Sequence, residues 1–178
     1  MNVAANALQV GLNVALVDHG PLGGTCLNNG CIPSKVMLYP AEVIRKMQDA
    51  AEIGVETKVT RVDFGLIMKR MRAFVDEGRS EMEHGVSATK NIMWYKGTGE
   101  FVGDHTMKVG NEVFRAPKII IASGSRPQVP PVEELQETGY LDNVNVLEIT
   151  KQPKSLVIIG GGYIACEYGH FFSALGTQ

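Results

Sequence analysis

The 178 residues carry 17 Lys and Arg against 19 Asp and Glu, a net charge of −2, with 44% hydrophobic and 20% charged residues. This balance excludes a disordered chain and leaves no polybasic footprint for nucleic acid or anionic lipid. No apolar run approaches the ~20 residues that span a bilayer, and Met1–Gln9 lacks the basic start of a signal peptide. The length suits one domain or a little more. Three cysteines cannot complete a disulfide framework and point to a reducing, cytoplasmic setting in which thiols do chemistry. The 20 glycines exceed ordinary usage and cluster at 23–24, 97–99 and 160–162.

Asn2–Val10 reads as the latter part of a helix ended by Gly11, followed by a buried strand, Asn13–Val17, that closes on Asp18. Helix, glycine, apolar strand and terminal acid form the second half of a dinucleotide-binding βαβ unit. The residues before Asn2 do not supply the first half, so the sequence is expected to start within the motif. A glycine-rich loop (Gly20–Gly30) leads into a helix from about Ser34 to Glu52. Its apolar face is expected at Val36, Tyr39, Val43, Met47 and Ala50, with Gly54 as the stop. Asp63 is placed to cap a second helix over 64–84, with Phe64, Ile67, Met71, Phe74 and Val75 on its apolar side. These Met and aromatic residues are read as packing, not as cofactor contacts.

From Asn91 the period changes to that of strands. Ile92–Tyr95 and Phe101–Val102 flank Gly97-Thr98-Gly99, and Gly110-Asn111 joins Thr106–Val109 to Glu112–Arg115 as a hairpin. Lys118–Ala122 and Leu156–Ile159 read as buried strands. The prolines at 127, 130 and 131 between them mark the expected domain boundary. A last helix runs to about Leu175 and ends at Gly176.

Gly160, Gly162 and Ala165 match G-x-G-x-x-G/A directly after the expected strand Leu156–Ile159 and at the start of a helix. Glycines there permit a tight turn and close backbone approach to a pyrophosphate, and the helix N-terminus adds unpaired N–H groups and partial positive charge. The acid that separates NAD from NADP belongs about 20 positions further on. That position lies past Gln178, so either nucleotide fits.

The stretch Gly23-Gly24-Thr25-Cys26-Leu27-Asn28-Asn29-Gly30-Cys31-Ile32-Pro33-Ser34-Lys35 is the most informative. A zinc site is disfavoured, because the two cysteines lack a second ligand pair and Cys166 and the four histidines are scattered. Two inert structural thiols are the other plain reading, but a Gly/Asn-rich loop at a helix start favours thiolate. Five residues along a regular helix advance about 7.5 Å and turn about 140°. That exceeds the ~7 Å Cα separation a disulfide tolerates. A redox-active Cys26–Cys31 disulfide therefore requires the chain to leave the helix between them, which Asn28, Asn29 and Gly30 allow.

These residues resemble the active-site motif of the pyridine nucleotide–disulfide oxidoreductases (class I). Cys-Leu-Asn-x-Gly-Cys-Ile-Pro-Ser-Lys is especially similar to the dihydrolipoamide dehydrogenase branch. Mercuric and mycothione reductases carry close variants, and Gly162–Gly176 also suits a mycothione-reductase-like chain. The resemblance extends over Asp18, Gly97-Thr98-Gly99-x-Phe101, Ala122–Pro127 and Gly160–Glu167. It implies an α/β, Rossmann-like FAD/NAD(P)-binding fold of three layers, with a parallel sheet and an antiparallel meander, here incomplete. Residues 1–127 would form an FAD domain lacking its first strand and Gly-rich turn, and 128–178 a linker and the start of an NAD(P) domain.

By the same resemblance, Cys31 would be the thiolate nearest the flavin and Cys26 the interchange thiol that meets the substrate disulfide. Lys35 would sit by the flavin and pair with Glu167, a buried cation needing a counter-ion; alone it would read as a solvated first-turn lysine. Asp18, Gly24, Thr25, Gly97, Ser123, Gly124 and Ser125 would contact FAD. Gly160, Gly162, Tyr163 and Ile164 would face NAD, with Tyr163 covering the nicotinamide pocket. The implied reaction oxidises dihydrolipoamide, free or on a lipoyl domain, with NAD. The implied parent is a homodimer whose C-terminal domain supplies a His–Glu pair that none of the four histidines here matches; His84 and His105 are expected on the surface. A nucleotide-binding redox switch without turnover is the alternative from another class.

Overall fold

A computed structural model describes residues 1–178. The chain divides into two compact units, Met1–Asn28 with Glu77–Ser125, and Asn29–Asp76 with Arg126–Gln178.

In the first unit, helix α1 (Asn2–Gln9) ends where Gly11 turns the chain into strand β1 (Val14–Asp18). Strand β1 pairs in parallel with β2 (Ile92–Lys96), in a register running from Val14 opposite Ile92 to Asp18 opposite Lys96. Parallel strands require a long crossover. It carries α2 (Gly24–Asn29), α3 (Cys31–Asp49) and α4 (Phe64–Ala88). An antiparallel meander follows, β3 (Gly99–Gly103), β4 (Thr106–Val109) and β5 (Glu112–Arg115), with an irregularity between Phe101 and Gly103. The meander's second turn is the Gly110-Asn111 hairpin anticipated from sequence. Tyr95 of β2 stacks on Phe114 of β5 with ring centroids 4.4 Å apart.

The second unit holds the larger apolar core. Met37, Ala41 and Ile44 of α3 meet Phe64, Met68, Met71 and Val75 of α4. Phe171 and Phe172 of the last helix, α5 (Tyr163–Ala174), close over them. The three rings of Phe64, Phe171 and Phe172 form one cluster, with Phe171 and Phe172 edge to face at 5.0 Å. Asp63 caps α4 through a hydrogen bond from the Leu66 N–H at 2.9 Å.

Several expectations are corrected. The buried face of α3 is Pro33, Met37, Ala41 and Ile44, whereas Tyr39 and Val43 are exposed. The helix carries two apolar stripes at helical spacing, and packing against α5 selects the one that the pattern alone did not favour. On α4, Phe74 is exposed and Met68 is fully buried in its place, and the helix runs to Ala88 instead of stopping near His84. Lys118–Ala122 and Leu156–Ile159 lie outside any ladder, with Ile121 and Val157 exposed. A strand exists only against a neighbour, and the parallel sheet here consists of β1 and β2 alone. The backbone at 154–156 instead bonds to the C-terminal residue, with the Leu156 N–H donating to the Gln178 carbonyl at 2.7 Å.

Candidate active site

The first unit presents Asp18 at the carboxyl end of β1, where open α/β sheets bind ligands. Its carboxylate is partly exposed and accepts a hydrogen bond from the Gly20 N–H at 2.9 Å. An acid held there fits the hydroxyls of a nucleotide ribose. Gly97 follows β2, and its N–H donates to the Asp18 carbonyl at 2.9 Å. A Cβ on Gly97 would meet the Val109 side chain at 2.9 Å, so the glycine makes room for the meander. Ser123, Gly124 and Ser125 are exposed and outside any ladder.

The cysteine loop is built from local rules. Gly23 has φ +108° and a Cβ there would lie 2.4 Å from the Leu27 side chain, so only glycine lets the chain turn into α2. Thr25 and Cys26 are exposed on α2, while Leu22 is 1% and Asn28 6% exposed. Asn28 Nδ2 donates to the carbonyls of Gly24 at 2.8 Å, Leu22 at 3.1 Å and Pro21 at 3.3 Å. Its Oδ1 accepts from Arg79 Nε of α4 at 2.6 Å. Sequence reasoning assigned Asn28 only to the break in the helix. The available signal was that an Asn in such a loop competes for backbone groups. The break itself falls at Gly30, with φ −141° and ψ −118°, so Cys26 sits on α2 and Cys31 opens α3. Cys26, Cys31 and Cys166 are all exposed and none is in a disulfide.

The second unit brings together Cys31, Ser34, Lys35 and Glu167. Lys35 Nζ donates to Glu167 Oε1 across from α3 to α5. The hydrogen bond to Glu167 raises the Lys35 pKa; desolvation opposes this, and the charges of Glu167, Cys31 and Glu42 add to the rise. Glu167 is held below the usual carboxylate range by the Lys35 hydrogen bond, against desolvation and with help from a Ser34 hydrogen bond. Ser34 is buried, and its Oγ also reaches the Cys31 carbonyl at 3.4 Å. The lysine is not buried as the resemblance implied, since its side chain is 62% exposed. Next to Glu167, burial pushes the Tyr168 hydroxyl up to about 12, with the charges of Glu167 and Asp142 adding to it.

Gly160, Gly161 and Gly162 precede α5 with no other atom within 4 Å of where a Cβ would stand, and Gly160 has φ +119°. A bare backbone turn opening a 12-residue helix fits a pyrophosphate. Tyr163 and Ile164, 79% and 41% exposed, begin that helix. His84 and His105 are both exposed. No helix is long and apolar enough to cross a membrane.

The whole chain, residues 1–178, matches the profile of the pyridine nucleotide-disulphide oxidoreductase family. It is 39% identical to a dihydrolipoyl dehydrogenase of Bacillus subtilis (strain 168), over 98% of this chain and 39% of that protein. It is 34% identical to a mercuric reductase of Lysinibacillus sphaericus, over 98% of this chain and 32% of the other. Among solved structures, the HOCl-induced flavoprotein disulfide reductase RclA from Escherichia coli superimposes with a TM-score of 0.84 at 29% identity, over 99% of this chain and 38% of that one. The chain thus spans about two fifths or less of the length of these relatives. The α/β, FAD/NAD(P)-binding fold is common to them.

Proposed function

The chain belongs to the pyridine nucleotide-disulphide oxidoreductase family, and from that premise we propose that it carries the dithiol centre of an FAD-dependent disulfide reductase that oxidises dihydrolipoamide with NAD. The observation that carries this reading is the arrangement around Gly30. Two exposed thiols flank the helix break, and the Lys35–Glu167 pair stands on the Cys31 side.

In the oxidised form, Cys26 and Cys31 share a disulfide. A substrate thiolate attacks Cys26 Sγ, a mixed disulfide forms, and Cys31 leaves as thiolate. The second substrate thiolate then attacks the substrate sulfur of that mixed disulfide. This closes the product disulfide and releases Cys26, which takes up a proton. Two electrons now reside on the Cys26/Cys31 pair. FAD, where held by the residues assigned to it, would supply the two-electron transfer from this pair to NAD. Lys35, held by Glu167, keeps a cation at the Cys31 end, and Ser34 steadies the Glu167 carboxylate. Asp18, Gly24, Thr25, Gly97, Ser123, Gly124 and Ser125 are assigned to FAD. Gly160, Gly162, Tyr163 and Ile164 are assigned to the nicotinamide nucleotide, with NADP as the variant. Residues 1–127 serve the flavin and 128–178 open the nicotinamide domain of a homodimer that accepts lipoyl-type substrates.

The higher identity to a dihydrolipoyl dehydrogenase than to a mercuric reductase supports the choice of substrate. The test is thiol titration of air-oxidised protein before and after one equivalent of dihydrolipoamide. A gain of two thiols per chain is expected, and no gain refutes the disulfide. Long-wavelength absorbance on reduction of a yellow preparation supports the flavin–thiolate enzyme; a colourless preparation with the same thiol gain fits the redox switch or a flavin-free chain.

A further inference from the structure

From the loop geometry we infer that Arg79 is a positioning residue for Cys26, acting through Asn28; this rests on the disulfide-exchange reading above. Asn28 Nδ2 has two protons and serves three carbonyls, those of Pro21, Leu22 and Gly24. Together these bonds close a ring of backbone around the position of Cys26. The amide can hold that ring only if its own orientation is fixed, and its single oxygen is the handle. Arg79 Nε grips Oδ1 at 2.6 Å, in the short range of charge-assisted hydrogen bonds. A cation on the carbonyl oxygen also polarises the amide and strengthens its N–H donors.

The neighbouring residue of α4 supplies an independent contact. A Cβ on Gly78 would lie 2.9 Å from Leu27 Cδ1, so the helix backbone comes close enough to seat Leu27. Leu27 and Asn28, the two residues after Cys26, are therefore both anchored by consecutive α4 positions. With Leu22 also buried, the chain on either side of Cys26 is turned inward and the thiol faces solvent. Without the Arg79 grip, the short helix α2 can rotate about its axis, and Cys26 spends time in orientations from which it does not react.

The experiment measures iodoacetamide alkylation of each cysteine in the fully reduced 178-residue chain, resolved by peptide mass, with Cys31 and Cys166 as internal references. Arg79→Met is expected to slow Cys26 about threefold or more relative to Cys166, a modest effect for residues in one network. Arg79→Lys, which keeps a cationic donor, is expected to recover most of the rate. Asn28→Ala is expected to slow Cys26 similarly, and the double variant Asn28→Ala/Arg79→Met to slow it no further than either alone. An unchanged Cys26 rate in Arg79→Met, a parallel change in all three thiols, or additive effects in the double variant would overturn the assignment. The readout needs neither a disulfide nor flavin. A chain that gains no thiols with dihydrolipoamide but still shows the Cys26 effect therefore refutes the proposed function and leaves the positioning role standing.

Discussion

Phe171 lies one helical turn after Glu167 on α5, so the packing of its ring sets how that helix presents the carboxylate to Lys35. The ring is 1% exposed and touches both Phe64 and Phe172, at centroid distances of 6.2 and 5.0 Å. Replacing it with Ala removes a fully buried side chain worth about 1.5–3 kcal/mol in transfer free energy. Two aromatic contacts add about 0.5–1.5 kcal/mol each, and truncations of this kind commonly cost about 3–5 kcal/mol. Against the ~5–15 kcal/mol that holds a whole domain together, such a loss is large. With a urea slope near ~2 kcal/mol per molar, the midpoint of the second unit should fall by about 2 M. The assay is equilibrium urea unfolding of the full chain followed by far-UV circular dichroism, with Phe171→Leu as a control expected to lose under half as much. A Phe171→Ala midpoint within about 0.3 M of the parent, at the same slope, would refute the claim that this ring cluster organises α3, α4 and α5.

Two further predictions concern the cysteine loop and the ion pair. Gly23→Ala, at φ +108° and with the Leu27 side chain 2.4 Å from the new Cβ, should destabilise the first unit by about 2 kcal/mol or more. Gly24→Ala, at φ +59° with open space around it, should lose less; equal losses in thermal unfolding would argue against the Leu27 clash. Because Glu167 is depressed below 4.5, its pairing stabilises the fold above that pH and is lost as pH falls through the lowered value. Because Lys35 is raised above 10.5, its share is present below that pH and is lost as pH rises through the raised value. Glu167→Gln should bring the Lys35 Nζ titration, followed by NMR, down from its raised position; an unmoved titration would mean that another group holds the lysine.

Much of the local structure was legible in the residues. The caps and stops at Asp63, Gly54 and Gly176, the hairpin at Gly110-Asn111, the strand ending in Asp18 and the glycine turn before α5 are short-range consequences of backbone sterics and hydrogen-bond chemistry. Such effects act within a few residues, so the linear order reveals them. The motif from Cys26 to Lys35 likewise carried the resemblance to the family whose profile the whole chain matches.

Which of two apolar stripes on α3 is buried was decided by the helices that meet it, since Tyr39 and Met37 are equally acceptable to the helix itself. Whether Lys118–Ala122 and Leu156–Ile159 become strands depends on a neighbouring backbone, which no propensity supplies. The Arg79–Asn28 hydrogen bond joins residues 51 apart and the Lys35–Glu167 pair residues 132 apart. By itself, then, the sequence determined much of the chain's local shape and its family. Tertiary structure alone decided which faces are buried and which distant side chains pair, because burial and charge pairing are properties of proximity in space.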